Sequence, residues 1–283
     1  MILSLPRLAA LLAVLTLAAC GGSRHEEEPK VVAATVLPGY EAVTDEGFDV
    51  PAVTIDYMRN GAAKTEVAYD GPEDAGTIVI DTFARRLYLV EEGGTATRYA
   101  IAVGREGMAF RGSGVIGRKE KWPSWQPTAN MLRTRPDLYA EYAGGLPGGL
   151  INPLGARALY LYRGGKDSKF RIHGTIDNNS IGHATSAGCI RLFNQDAMDL
   201  YERVEIGAKV KVRTLDESLT MEGPYMNDAW GRAVPDTPEN QAQLELDLPI
   251  LDQQKADRAA ALEADPTLAS SESESYEPPL GHP

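Results

Sequence analysis

The chain has 283 residues, 43% of them hydrophobic, enough to bury an ordinary core in one domain or two. Its net charge of −12 is unevenly placed: from Leu215 onward fifteen acids face three bases, which accounts for the whole excess and leaves residues 1–214 neutral. No basic stripe appears, which argues against a nucleic acid partner.

Residues 1–20 read as a secretion signal, with Arg7, an uncharged apolar run over 8–17, and the small pair Ala18-Ala19. That run is too short to span a bilayer as a lasting helix. Residues 21–75 read as a tether and a short packed lead-in, with turn signals at Leu37-Pro38-Gly39 and Asp70-Gly71-Pro72. Regular patterning starts at Gly76. Strands are predicted over 76–81 and 86–90 as a hairpin, and over 97–103, where Tyr99, Ile101 and Val103 alternate. Residues 112–153 read as a long loop centred on Trp122-Pro123-Ser124-Trp125-Gln126-Pro127, and loops of that length inside a domain are usually functional.

Strands are predicted again over 158–162 and 169–173. One helix follows residue 193, with Asn194 as its cap, Ala197, Leu200, Tyr201 and Val204 on one face, and Gly207 at its end. A last strand is predicted over 209–212. The expected organisation is a mainly β domain over 76–213 and an acidic, disordered tail over 214–283, with 244–251 its one stretch apolar enough to dock.

Only two cysteines occur. Cys20 closes the signal, so Cys189 has no intramolecular disulfide partner in an oxidising compartment if Cys20 is otherwise engaged. A thiol near pKa ~8.5 is only a few per cent thiolate at neutral pH, so a nucleophilic Cys needs a base. Of four histidines, His25 lies in the tether and His282 in the tail; His183 sits in a polar stretch, and His173 ends an apolar strand before Gly174. His173 is the favoured base. Amides around Gly188 and Cys189 would face a developing oxyanion. On the residues alone, a buried small hydrophobe is the better reading of Cys189. No residue cluster has metal-ligand spacing and no glycine-rich loop has nucleotide-site context, so no cofactor is expected.

The segment His173-Gly174-Thr175, with a fifteen-residue gap from His173 to Cys189 that closes with Ser186-Ala187-Gly188-Cys189-Ile190-Arg191, resembles the signature of the L,D-transpeptidase catalytic domain, the YkuD domain. Arg118-Lys119, the Trp122 to Pro127 stretch and Asn152-Pro153-Leu154-Gly155 are similar to segments of Gram-negative members. The resemblance implies a β-sandwich-like fold and acyl transfer on peptidoglycan stem peptides. Cysteine attack would release D-Ala from position four, leave a thioester, and let a neighbouring stem's amine resolve it as a 3-3 crosslink in cell wall biogenesis. It further implies Cys189 as nucleophile, His173 as base, the Gly174 carbonyl orienting the imidazole, and Gly188 in the oxyanion hole. Ser186 and Arg191 would shape the site, and Trp122 and Trp125 would line a substrate groove or else pack in the core. Ala187 stands where many members carry a second His, and Arg191 where others carry Asn. Resolution by water, an L,D-carboxypeptidase, or by the amine of an outer-membrane protein are alternatives. A carbapenem adduct on Cys189 is expected. Leu17-Ala18-Ala19-Cys20-Gly21-Gly22 resembles a lipobox, which implies acylation of Cys20 and a periplasmic protein anchored to the outer membrane.

Overall fold

The computed structural model describes residues 34–104, 110–186 and 188–265. The signal segment with Cys20, the tether residue His25, Ala187 and the end of the tail with His282 lie outside the described residues.

Alternating and β-branched runs set one large sheet. Its strands are Thr65–Ala68 (β1), Ile78–Asp81 (β2), Arg86–Val90 (β3), Thr95–Ala100 (β4), Ser113–Lys121 (β5), Arg157–Arg163 (β6), Lys166–His173 (β7), Ile190–Arg191 (β8) and Lys209–Val212 (β9). They lie in the order β8-β7-β6-β5-β9-β2-β3-β4-β1. The β7–β8 and β9–β2 pairs are parallel and the other neighbours antiparallel. The mainly β expectation holds, and the sheet is mixed.

The helices are Ala129–Thr134 (α1), Pro136–Tyr139 (α2), Asn194–Arg203 (α3), Leu215–Met221 (α4) and Pro238–Ala264 (α5). The main core joins Ile78, Ile80, Leu87, Leu159, Leu161, Ile172 and Ile190 of the sheet to Ala197 and Leu200 of α3 and to Val204 just beyond it. Each such aliphatic side chain contributes about 1.5–3 kcal/mol by leaving water. The lead-in is packed as well: Tyr40, Val53, Met58 and Ala62 are buried with Ala100, Ala102, Ile181 and Phe193.

Three sequence expectations need correction. Residues 112–153 are not a continuous loop, because β5 occupies Ser113–Lys121 in the middle of the sheet. Two glycines and four charges disguise it, and only Ile116 is fully buried there. The helix cap is Phe193 rather than Asn194, whose side chain is engaged elsewhere. Finally, the described part of the acidic tail carries two helices and a hairpin. Thr214 and Glu217 form a capping box at α4, and Ser218 Oγ donates to Asp81 Oδ1 at 2.9 Å. The hairpin Tyr225–Asn227 with Ala233–Pro235 buries Ala233 and Val234. Its Asn227 Oδ1 accepts from Arg85 at 2.6 Å. Averaging composition over the whole tail hides these local anchors, and in α5 the Gln, Glu, Leu and Ala content is itself helix-forming.

Candidate active site

Strand alternation builds the site. Phe170 and Ile172 of β7 pack with the core, so Arg171 and His173 point to the opposite face. The parallel register pairs Ile172 with Ile190 and His173 with Arg191. Cys189, one residue before β8, therefore comes alongside Arg171 on that same face. The antiparallel registers add Tyr160 beside Arg171 and bring Arg118 and Glu120 from β5. Together these side chains line a cavity of about 1000 Å³ whose far wall is the segment carrying Trp125, Met131, Arg135 and Tyr139.

His173 is 2% exposed, and its Nδ1 lies 2.6 Å from the Gly174 carbonyl oxygen. A carbonyl only accepts, so Nδ1 carries the proton and Nε2 keeps its lone pair. Burial, reinforced by the Arg191 and Arg171 charges, pushes the imidazole pKa down to about 3, against the smaller opposing pull of the Gly174 carbonyl. The imidazole is therefore neutral across ordinary pH.

Gly174 is held from behind by Asn194. Its Nδ2 donates to the Thr175 carbonyl at 2.8 Å, and its Oδ1 accepts from the Ala156 amide at 2.9 Å. A Cβ on Gly174 would lie 2.1 Å from Asn194 Oδ1, so only glycine fits. The role of Asn194 is not legible in the sequence, where it reads as a helix cap; its place three residues after β8 is the only other signal.

Around the thiol, Ser186 Oγ donates to the Cys189 carbonyl at 2.5 Å and accepts from the Gly188 amide at 3.1 Å. Gly188 takes φ +126°, a conformation that L side chains rarely adopt. The Ser186 hydroxyl is thus spent on tying the turn that presents Cys189. Cys189 forms no disulfide and is partly exposed to the cavity. Burial raises its pKa above the usual 9.0, while a hydrogen bond from the Arg171 backbone and the Arg171 and Arg191 charges act the other way.

The two tryptophans separate. Trp125 lines the cavity and its ring stands 6.3 Å from that of Tyr139. Trp122 does not line it. Its ring packs at 4.3 Å on Phe48 and its indole donates to Asp45 Oδ2 at 2.7 Å, so the groove expectation is corrected to packing for this residue. The same cluster holds Val50 of the lead-in together with Ala156 and Met198. Arg191 is 2% exposed and lines the cavity. His183 lies outside this cavity and lines a different one.

A family model described as the L,D-transpeptidase catalytic domain, YkuD, matches residues 75–212. A Fuscovulum blasticum protein named as an L,D-transpeptidase in the ATP synthase subunits region is 35% identical over 137 residues, 48% of this chain and 68% of that one. The chain belongs to the L,D-transpeptidase family. The Escherichia coli K12 protein named "Probable L,D-transpeptidase ErfK/SrfK" is 31% identical over 60% of this chain, a match that spans only 54% of that relative's length. A solved Brucella melitensis structure named as a carnitine operon oxidoreductase is 45% identical, covering 56% of this chain and 98% of its own. Its TM-score of 0.39 is too low to bear on fold or function.

Family membership supports a transpeptidase-type enzyme, and the lining of this L,D-transpeptidase cavity adds detail beyond the motif. Arg118, Arg135, Lys169, Arg171 and Arg191 face one acid, Glu120. Tyr160 is the hub of that wall, with the Arg118 and Arg171 guanidinium carbons 3.6 Å and 4.1 Å from its ring centre. Arg171 is fixed in turn by a two-point ion pair to Asp167 at 2.7 and 2.9 Å. Asn152, fully buried, donates to the Pro123, Leu146 and Pro147 carbonyls and so braces the wall that carries Trp125.

Proposed function

We propose that this chain is an L,D-transpeptidase that acts on peptidoglycan stem peptides through a Cys189 thioester and forms 3-3 crosslinks. The observation that carries the reading is the placement of Cys189 and His173 on one cavity-lining face of adjacent parallel strands, with His173 Nδ1 tied to the Gly174 carbonyl. The cationic lining supports a substrate rich in carboxylates, as acidic stem peptides are.

Both partners rest neutral, so the proton moves during attack. The Sγ–H proton passes to His173 Nε2 as sulfur bonds the carbonyl carbon between positions three and four of the stem. The oxyanion is met by the Cys189 amide, which has no hydrogen-bond partner among the described residues, and by Gly188 once its amide turns from Ser186. Collapse breaks the C–N bond, and His173 returns the proton to the departing D-Ala amine. An acceptor amine then gives its proton to His173, attacks the thioester and releases the thiolate, which takes the proton back.

Incubating the protein with a disaccharide tetrapeptide and weighing the products tests the assignment. A crosslinked dimer supports transpeptidation, and a tripeptide without dimer makes the chain an L,D-carboxypeptidase. A protein-linked muropeptide formed when outer-membrane proteins are added would point to anchoring. Unchanged substrate, or turnover by Cys189→Ala at the wild-type rate, overturns the reading. We further assign the chain to the periplasm, held to the outer membrane through acylated Cys20. Fatty-acid labelling that is lost in Cys20→Ser supports the anchor, and absence of label refutes it.

A further inference from the structure

A second cavity, about 470 Å³, lies apart from Cys189. Two of its walls come from segments beyond the matched 75–212 region: the lead-in with Arg59 and Asn60, and the C-terminal hairpin with Trp230 and Arg232. The third is the stretch 178–183, part of the connection from His173 to Cys189.

Its chemistry is uneven. Arg86 lines it while only 7% exposed, and among the described residues the one hydrogen bond of its side chain runs from Nη2 to the Asn60 carbonyl at 2.8 Å. Its Nε is buried with no hydrogen-bond partner. The one acid among the lining residues, Asp56, is exposed at the rim, and the acids nearer Arg86 outside the lining, Asp81 and Glu222, are ion-paired to Arg213 at 3.3 and 2.6 Å. Among the described residues neither Arg59 nor Arg86 has an ion-pair partner, whereas Arg232 holds Asp228 at 2.8 Å. A buried guanidinium without a counter-charge is costly, and an anion in the cavity would offset that cost. At the rim, Trp230 is 39% exposed, with the Arg232 guanidinium 5.2 Å from its ring centre. Asn178 and Asn179 add amides that can both donate and accept.

An apolar ring face, two-way amides and a deep unpaired cation in one small cavity suit a sugar ring that bears an acid. We propose that this cavity binds a carboxylate-bearing saccharide, with the ring on Trp230 and the carboxylate toward Arg86 and Arg59. The site is independent of the reaction assigned to Cys189, and its failure would leave that assignment standing.

Each cavity carries its own reporter, Trp125 in the first and Trp230 in the second. Indole signals in ¹H–¹⁵N spectra of the full chain, assigned with Trp125→Phe and Trp230→Phe, are followed during titration with N-acetylmuramate, N-acetylglucosamine, lactate and inorganic phosphate. The expected result is a shift at Trp230 with N-acetylmuramate, and at least tenfold weaker binding of the ring alone, the acid alone and phosphate. Arg86→Gln should abolish the preference for N-acetylmuramate over N-acetylglucosamine. If that variant fails to fold, Arg59→Gln at the exposed rim should reduce the preference in its place. The proposal is overturned if Trp230 does not respond, if Trp125 responds instead, if phosphate binds as well as N-acetylmuramate, or if folded Arg86→Gln keeps the preference.

Discussion

Replacing Gly174 by alanine should disable the base without touching it. The added Cβ would stand 2.1 Å from Asn194 Oδ1 and 3.2 Å from the Ala156 amide nitrogen, where ordinary contact needs more than a further ångström at the first of these. Something must move, and the mobile element is the 174–175 peptide whose carbonyl holds His173 Nδ1 at 2.6 Å. Overpacking of this kind costs about 1–3 kcal/mol. For a chain of this size that lowers Tm by about 2–12 °C. Displacing the imidazole by about an ångström should lower kcat about 10²-fold. Asn194→Ala removes the obstructing oxygen, so the double variant should be more stable than the sum of the singles by about 1 kcal/mol. Thermal melts and single-turnover acylation by a muropeptide measure both effects. Strict additivity, or full activity in Gly174→Ala, would refute the claim that Asn194 and the Gly174 carbonyl fix the base.

Other outcomes follow from the same geometry. With the Cys189 pKa raised above 9.0 and that of His173 lowered to about 3, iodoacetamide alkylation should climb through pH 9 with no plateau between pH 4 and 8; such a plateau would reveal a thiolate–imidazolium pair. Asp196 is fully buried, and burial raises its pKa to about 7 against the smaller opposing pull of the Tyr40 hydroxyl and the Lys64 charge. A carboxyl raised in the folded state gives stability that is present below its unfolded pKa, near 3.8, and lost as pH rises towards 7. Asp196→Asn should therefore gain on the wild type across that window in denaturant unfolding, and a pH-independent difference would contradict the assignment. Trp122→Phe should lower stability by about 1 kcal/mol through loss of the Asp45 hydrogen bond, with KM unchanged. Trp125→Ala should raise KM instead, and the reverse pattern in kinetics would show that the two rings have been misplaced.

Much of the site was legible because it depends on local spacing. Residues 171 and 173 alternate on one strand and a run of small residues leads into Cys189, and the resemblance of this spacing to the L,D-transpeptidase signature is what singled out Cys189 and His173 as candidate nucleophile and base. The hairpin Ile78–Asp81 and Arg86–Val90 was equally plain, since both strands are buried and apolar. What escaped were features made by distant partners. β5 is a central strand whose polar side chains face a cavity, so its sequence carries no apolar alternation. The choice between groove and packing for Trp122 stays open in the sequence because its partners, Phe48 and Asp45, lie in the lead-in more than seventy residues earlier. The tail segments around residues 218 and 227 are pinned by Asp81 and Arg85, which nothing near them in sequence announces. The Ser186 hydroxyl looked available to substrate, and only the turn geometry shows that it closes on the Cys189 carbonyl.

The central claim is that Cys189 is the nucleophile, and acyl trapping tests it most directly. The full chain incubated with a carbapenem should gain the mass of one intact adduct, and peptide mapping should place it on Cys189. Cys189→Ala should gain nothing, and His173→Gln should react about 10²-fold or more slowly. An adduct on another residue, an equal adduct on Cys189→Ala, or no adduct on the folded wild-type chain would contradict the account.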